Sequence, residues 1–439
     1  MNYRLGFFVL LICIGICIPA WGKVYIDIDS PAFQKFPTAI PDFKNLGSGK
    51  DGENLSRSFS EEMNRSLEIT GFFRIIDRGA FLENKNRAGL EGGDIHFPDW
   101  RAIGADFLIK GGFESDGKAL SVEFRLYDVV EGKLITGKKY WGTVDERKKM
   151  VLKFAGEVLL KLTGERGVFN TRIAFVGKKG DESEIYTVDF DGSGMMKLTN
   201  YQALTLLPNW SPDGKKMSFT SYMNRNPDFY LMNMDSRKVE RLSSYKGLNL
   251  SGPWSPDGQK VLLVLSKDGN EEIYSFDVSE RTLRRLTWDR SIDVSPTWSP
   301  NGREIAFVSN RSGSPQVFTM DIDGKNLRRL TFEGSYNTSP SWSPRGGKIA
   351  YEGATNGRFQ IFLINEDGSN FMQLTFEDGG CEAPTWSPDG RYLAFTAGQK
   401  GTSRIGIVNA NGLNLRLIDD MKEVSSFEDP EWSPYLDLY

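Results

Sequence analysis

The chain has 439 residues, of which 39% are hydrophobic and 26% charged, a composition typical of folded proteins with a sizeable core. The 54 lysines and arginines nearly balance the 58 aspartates and glutamates, and no basic block stands out, so nucleic-acid binding is disfavoured. Because the chain has one histidine, His96, a catalytic triad or a multi-histidine metal site would have to be built around that residue.

Residues 1–22 have the pattern of a signal peptide. Arg4 precedes an apolar run over residues 5–18, which is short for a membrane-spanning helix, and Ala20-Trp21-Gly22 supplies a small-x-small cleavage pattern. We therefore expect export and a mature chain that begins at Lys23. An uncleaved anchor is the less favoured alternative. The two cysteines in this segment follow isoleucines, which argues against lipidation.

Neither Cys381 nor His96 is predicted to act in catalysis. Cys381 would be the one cysteine of the mature chain, so it has no internal disulfide partner, and we interpret it as a buried or inert thiol. His96 lies in a glycine-rich loop with no visible partner, and we expect it at the surface.

Residues 23–167 are predicted to form a small α/β domain. Leu55, Phe59, Met63 and Leu67 recur at every fourth position, which indicates an amphipathic helix, and residues 72–77 follow as a strand. Residues 151–162 carry a second helical stripe that ends before a glycine. Between the two helices, residues 107–109, 120–127 and 134–135 indicate a strand meander.

The rest of the chain, residues 168–439, repeats with a period of 44. Trp-Ser-Pro begins at positions 210, 254, 298, 342, 386 and 432, and most units continue with a Pro-Asp-Gly turn and three more short apolar stretches. A four-stranded unit that recurs at this spacing predicts a β-propeller, here with six blades. The six tryptophans at one repeat position are interpreted as packing between blades rather than as a ligand cage.

The order of the pieces predicts how the ring closes. The repeat region opens on Arg172-Ile173-Ala174-Phe175, which matches the second strand of a unit, and it ends on an unaccompanied first strand around Trp432. These fragments complete one blade if the C-terminal strand pairs with the strand at Ile173, which leaves no sheet edge free.

The repeat also predicts a binding surface. If the first strand of each blade is innermost, the segments just before Pro-x-Trp surround the mouth of a central funnel. These positions mix small, apolar and acidic side chains, which suits an inserted peptide or loop better than a phosphate ligand. Ordinary connecting loops are the competing interpretation. The predicted mouth residues are Leu206, Leu207, Ser251, Val294, Ser295, Thr338, Ser339, Glu382, Ala383, Glu428 and Asp429.

Motifs of common enzyme classes are missing from the sequence. It has no Gly-x-Ser-x-Gly elbow, no phosphate-binding loop and no His-Glu-x-x-His. Prolyl-oligopeptidase-like enzymes carry similar Trp-Ser-Pro blades, but their α/β-hydrolase domain has no room after residue 434. We therefore predict a protein that is not an enzyme, with no cofactor and no metal. An alternative stays open, in which the funnel carboxylates Glu382, Glu428 and Asp429 bind a small ligand or cation or act in hydrolysis.

A signal peptide, an α/β domain and six Trp-Ser-Pro blades that end in Pro430-Glu431-Trp432-Ser433-Pro434-Tyr435-Leu436 resemble the TolB family of the Tol-Pal system over the whole chain. The resemblance implies a periplasmic adaptor, monomeric on its own, that supports outer-membrane integrity and constriction during cell division. It implies that the lipoprotein Pal docks at the funnel and that TolA binds the mature N-terminus, which matches Lys23, Val24, Tyr25, Ile26, Asp27 and Ile28 here.

Two positions depart from the repeat. Arg345-Gly346-Gly347 replaces the usual Asp-Gly turn, and Pro253 directly precedes Trp254 instead of lying two residues before it. The second departure is expected to move Ser251 within the funnel mouth.

Overall fold

A computed structural model describes residues 34–47, 52–83, 89–180, 182–398, 402–418 and 424–436. The predicted signal peptide lies outside these ranges. No helix in the described ranges has the length and apolar content needed to cross a bilayer.

The N-terminal part of the chain is an α/β domain with one mixed sheet. The two long helices that the apolar stripes predict are present, and the second is followed by Gly164, which takes the left-handed conformation (φ 78°) that suits glycine. The elements are β1 (Phe36–Ala39), β2 (Lys44–Asn45), α1 (Gly52–Glu68), β3 (Phe73–Ile75), α2 (Phe97–Ala102), β4 (Phe107–Ser115), β5 (Ala119–Asp128), β6 (Lys133–Thr143) and α3 (Arg147–Thr163).

The sheet of this domain has the order β3-β1-β4-β5-β6, with β2 paired to β4 as well. The predicted meander β4-β5-β6 is antiparallel, whereas β1 pairs in parallel with β3 and β4. Aromatic rings fill the space between the sheet and the helices: Phe124 of β5 lies 4.9 Å from Phe154 of α3 and 6.2 Å from Phe59 of α1, measured between ring centroids. This packing joins both helices to the sheet.

The repeat region is a six-bladed β-propeller, as predicted. In chain order its strands are β7 (Arg172–Lys179), β8 (Glu182–Asp189), β9 (Met196–Lys197), β10 (Thr205–Trp210), β11 (Lys216–Ser221), β12 (Asp228–Asn233), β13 (Val239–Ser243), β14 (Asn249–Trp254), β15 (Lys260–Leu265), β16 (Glu272–Asp277), β17 (Leu283–Arg285), β18 (Asp293–Trp298), β19 (Glu304–Ser309), β20 (Gln316–Asp321), β21 (Arg328–Arg329), β22 (Asn337–Trp342), β23 (Lys348–Thr355), β24 (Arg358–Asn365), β25 (Met372–Gln373), β26 (Cys381–Trp386), β27 (Tyr392–Ala397), β28 (Arg404–Asn409), β29 (Arg416–Ile418) and β30 (Ser426–Trp432).

Blades 1 to 5 each consist of four consecutive strands, beginning with β10, β14, β18, β22 and β26. Blade 6 has the order β30-β7-β8-β9, and Trp432 of β30 lies opposite Ile173 of β7. The prediction that the C-terminal strand closes the ring is therefore confirmed. The first strands of neighbouring blades contact one another in a closed cycle, so these strands are innermost.

The six repeat tryptophans are buried, with exposed fractions of 4–7%. The indole Nε1 of Trp298 donates a hydrogen bond to the Pro253 carbonyl of the preceding blade (3.1 Å), and Trp386 does the same to Ser341 (3.0 Å). The tryptophans therefore join adjacent blades, which confirms their interpretation as packing residues. The unusual turn at Arg345 keeps its geometry, because Gly346 donates to the Ser343 carbonyl as Gly302 does to Ser299.

The N-terminal domain lies at the end of the propeller that carries the Pro-Asp-Gly turns. Tyr392, just after the Pro388-Asp389-Gly390 turn, donates its hydroxyl to the Thr70 carbonyl (3.0 Å). On the other side of the contact, Lys148 of α3 pairs with Asp189 and Asp191 of blade 6 (3.0 Å each). The opposite end of the axis is the end where each innermost strand begins, and it faces away from the N-terminal domain.

Candidate binding site at the propeller mouth

The six positions that the repeat aligns at the open end of the axis are here called the mouth ring: Leu207, Ser251, Ser295, Ser339, Ala383 and Asp429. Five of the six take a left-handed backbone conformation with φ between 48° and 52°, although none is glycine. Each of the five lies in a β-bulge of an innermost strand, where two residues face one residue of the next strand. Strained non-glycine backbone that recurs at one end of a fold is a feature of functional surfaces.

Ser251 is the exception, at the blade where the sequence departs from the repeat. Its φ is not positive, its side chain is 5% exposed, and its hydroxyl lies 3.1 Å from the Ser218 hydroxyl of blade 1. Its amide donates to Thr220 Oγ1 (2.8 Å). The position of Pro253 therefore turns this residue inward, and Ser251 is less available to a partner than the other five members.

The residues just before the mouth ring, among them Leu206, Val294 and Thr338, pair with the second strand of their blade and are half-buried. Glu382 and Glu428 hold the same position in blades 5 and 6, and Glu382 is exposed. The predicted mouth residues thus share one end of the propeller. The predicted tail residues 23–28 lie outside the described residues.

Carboxylates concentrate on one side of the mouth, in a group here called the acidic sector: Glu352, Glu382, Glu428 and Asp429. Glu352 is 8% exposed, and its Oε2 accepts the Ala383 amide of the next blade at 2.7 Å. Burial raises the pKa of Glu352 to about 7, and the nearby Glu382 and Asp429 add to the shift. Burial also raises the pKa of Asp429 to about 6, with Glu428 contributing. Lys178 pairs with Glu428 at 2.5 Å, which partly balances the charge.

Glu352 is a mouth residue that sequence reasoning missed. It lies on the second strand of blade 4, opposite Thr338, where blade 1 has Thr220 opposite Leu206. Both side chains accept an amide from the mouth ring of the following blade, Thr220 from Ser251 and Glu352 from Ala383. A glutamate at a repeat position that holds threonine or valine elsewhere was the available signal in the sequence.

Below the mouth, the innermost strands line an axial channel with a volume of about 480 Å³. Its polar lining includes the residue before five of the six tryptophans, as well as the serines that follow four of them: Asn209, Thr297, Ser341, Thr385, Glu431, Ser299, Ser343, Ser387 and Ser433. Thr385 donates to Glu431 at 3.1 Å, and burial raises the pKa of Glu431 to about 7.

The remaining reactive side chains can be compared with their predicted roles. No three histidine, cysteine, aspartate or glutamate side chains in the described ranges are arranged to hold a metal ion. Cys381 is fully buried, and burial raises the pKa of its thiol to about 12, which keeps it protonated at neutral pH. His96 is exposed as expected, but the expectation that it has no partner is wrong: its Nδ1 lies 2.9 Å from Asp99 Oδ1, one helical turn away.

Comparisons with known proteins give a consistent result. Residues 159–436 match the family model described as the TolB beta propeller domain, and residues 24–135 match the TolB amino-terminal domain. Proteins described as "Tol-Pal system protein TolB" from Syntrophus aciditrophicus and Desulfosudis oleivorans are 46% and 38% identical, over 51% and 50% of this chain. These alignments cover 52% and 51% of the relatives, so the chain spans about half the length of the curated relatives it matches.

One solved structure covers nearly the whole molecule. TolB from Acinetobacter baumannii superposes with a TM-score of 0.78 at 25% sequence identity, over 91% of this chain and 97% of that one. A nidogen/laminin complex matches with a TM-score of 0.50 at 11% identity, which reflects the propeller fold alone.

Proposed function

The chain belongs to the TolB family, and from this premise we propose that it is a periplasmic adaptor of the Tol-Pal system that acts by binding other proteins rather than by catalysis. It binds a Pal-type lipoprotein at the propeller mouth and a TolA-type protein through residues 23–28, and so supports outer-membrane integrity during division.

One observation supports the first of these contacts most strongly. Five equivalent mouth residues hold left-handed backbone at the end of the propeller that the N-terminal domain leaves open. Loops that are fixed in advance lose little conformational entropy when a partner binds. The mixture of small side chains and carboxylates at this rigid surface suits an inserted loop or peptide that carries hydrogen-bond donors.

The mouth can be tested by blocking it with bulky charges. We expect the mature protein to retain a purified Pal-type lipoprotein on a column and the variant Ser295→Arg/Ser339→Arg to lose it, because each arginine would fill the funnel. The matched control is Asn326→Arg/Asn370→Arg. These two residues lie in the same two blades and are also left-handed (φ 53° and 51°), but at the other end of the axis.

The outcomes of this experiment differ clearly. Loss of binding in the mouth variant alone supports the adaptor. Equal binding by the mouth variant and the native protein would move the contact elsewhere on the surface. Absence of binding by the native protein would contradict the proposal and favour a propeller that takes a small ligand.

The TolA-type contact is tested separately. The alternating apolar and polar side chains of residues 24–28 would allow this segment to add as a strand to a partner sheet. We expect removal of residues 23–28 to abolish binding of a purified TolA-type domain while lipoprotein binding persists. Unchanged binding by the truncated protein would contradict this part of the proposal.

A further inference from the structure

Three aromatic side chains at one repeat position are exposed in the loops that lead to the mouth. Trp288, Phe332 and Phe376, here called the aromatic row, are 66%, 69% and 74% exposed. They are spaced by 44 residues and precede the first strands of blades 3, 4 and 5 by the same distance. Each lies in the loop that joins an outermost strand to the innermost strand of the next blade, where the mouth ring begins, and the Trp288 ring also reaches Gly324 in the β20–β21 turn.

The aromatic row occupies one side of this end. The same repeat position holds Asn200 and Ser244 before blades 1 and 2. Single exposed apolar residues are common on protein surfaces, but aromatic side chains repeated on consecutive loops form an extended apolar surface that usually marks an interaction site. The asymmetry indicates a partner that extends from the mouth over the loops before blades 3 to 5.

The loops that carry the row are held in place by the outermost strands. Arg329 donates from Nε to the Thr331 carbonyl (2.5 Å), and its guanidinium lies 4.9 Å from the centre of the Phe332 ring. Arg285 and Gln373 make the equivalent bond to Thr287 and Thr375, at 2.7 Å each. Rings on such fixed loops give up little entropy on binding, which is the property of interface hot spots.

A carboxylate directly follows each ring of the aromatic row in the sequence. Asp289, Glu333 and Glu377 directly follow the three aromatic residues, and none of these carboxylates forms an ion pair with a described residue. Together with the acidic sector of the mouth, these carboxylates place negative charge beside the aromatic rings, while Arg329 covers one face of the Phe332 ring. A complementary partner presents an apolar patch bordered by lysine and arginine.

We propose that the aromatic row is a second contact surface for the lipoprotein that binds the mouth, so that the lipoprotein sits off the propeller axis, over the loops before blades 3 to 5. This inference rests on the proposed function. The row supplies affinity through buried ring surface, and the three carboxylates orient a basic border of the partner.

The test compares two double variants in the same blades. In Phe332→Ser/Phe376→Ser, each ring is replaced by serine, the residue found at this repeat position before blade 2 (Ser244). The control is Leu327→Ser/Phe371→Ser, which removes two side chains that are 45% and 53% exposed and lie five residues earlier, next to the turns at the opposite end. The probe is the purified soluble domain of the Pal-type lipoprotein, titrated calorimetrically into the mature protein.

We expect Phe332→Ser/Phe376→Ser to raise Kd about tenfold or more, as loss of hot-spot rings does, and Trp288→Ser to raise it severalfold. The control should stay within about twofold of the native Kd. An unchanged Kd for Phe332→Ser/Phe376→Ser, with binding lost in Ser295→Arg/Ser339→Arg, would overturn this inference and leave the proposed function intact. No binding by the native protein would overturn both.

Discussion

The two domains of this protein distribute their apolar contacts in different ways. In the N-terminal domain, one cluster joins the sheet to both long helices, with Phe124 in contact with four other rings that include Phe43 and Phe154, and a smaller cluster surrounds Trp100. In the propeller, the core is divided among separate clusters between neighbouring blades; the cluster around Trp298, for example, draws only on blades 2 and 3. A substitution in the core should therefore destabilise much of the N-terminal domain, whereas in most of the propeller it should destabilise only the neighbouring blades.

Blade 6 shares apolar contacts with the core of the N-terminal domain. Ile173, Phe175 and Trp432 of this blade belong to the same cluster as the core of the N-terminal domain, together with Tyr392 of blade 5. Blades 5 and 6 are thus the part of the propeller whose stability depends on the other domain. The following predictions test this contrast, from the largest expected effect to the smallest.

Removal of residues 426–436 should have the largest effect. It deletes the strand that pairs with β7 and the tryptophan shared by the two domains, and it leaves an exposed sheet edge. We expect loss of the cooperative thermal transition of the propeller in circular dichroism, with aggregation on gel filtration. Glu431→Gln, which keeps β30, is the control and should retain the cooperative transition. A truncated protein with the native transition would contradict ring closure by β30.

Phe124→Ala should destabilise the N-terminal domain by about 3–5 kcal/mol, because Phe124 is fully buried and its removal leaves a cavity. Hydrogen exchange should rise throughout that domain and remain native in blades 1 to 4. The reciprocal variant Phe318→Ala in blade 3 should raise exchange in blades 2 and 3 only. If either variant raised hydrogen exchange equally in both domains, the proposed difference between their cores would be wrong.

Glu352 should make stability depend on pH. Its pKa is about 7 in the folded protein against an ordinary value of 4.5, so the folded state binds more protons than the unfolded state between these values. Stability should therefore fall as pH rises from about 4.5 to 7, by on the order of 2 kcal/mol. Glu352→Gln keeps an acceptor for the Ala383 amide and should reduce this dependence.

The measurement is the urea midpoint at pH 5 and pH 8 for the native protein and for Glu352→Gln. The variant should be the more stable of the two at pH 8 and similar to the native protein at pH 5. Equal pH dependence in the two proteins would mean that Glu352 does not titrate in this window.

Tyr392→Phe should have the smallest effect. It removes one buried hydrogen bond to the Thr70 carbonyl while the ring keeps its place beside Trp432. We expect a loss of about 1 kcal/mol, or somewhat more because the carbonyl is left without this donor. The loss should appear as faster hydrogen exchange at residues 69–72 and in blade 5. Exchange confined to blade 5 would show that this bond does not link the domains.

The strand order of the propeller can be predicted from the sequence more completely than that of the N-terminal domain. The six blades follow from the spacing of Trp-Ser-Pro, because a 44-residue period and four apolar stretches per unit leave few architectures, and closure at Trp432 follows from the order of the fragments. In the N-terminal domain, the helices follow from apolar stripes, but the pairing of β1 with two strands far away in sequence leaves no periodic signal.

At the mouth, too, some features can be predicted from the repeat and others cannot. Alignment of the repeats brings the mouth ring together, yet it does not reveal that Ser251 turns inward or that Glu352 reaches across to the next blade. Both depend on hydrogen bonds between blades, which a single repeat does not encode. The contact of His96 with Asp99 depends on the short helix α2, whose six residues are too few to show an apolar period.

The closing strand also sets the order in which the molecule can fold. Residues 426–432 pair with residues 172–178, so the last blade requires contact between segments separated by about 250 positions in the chain. Contacts of this range carry a large loop-closure cost and slow the folding of β-rich domains. Blade 6 cannot form until residues 426–432 reach β7, so closure of the ring is the last step in the assembly of the propeller.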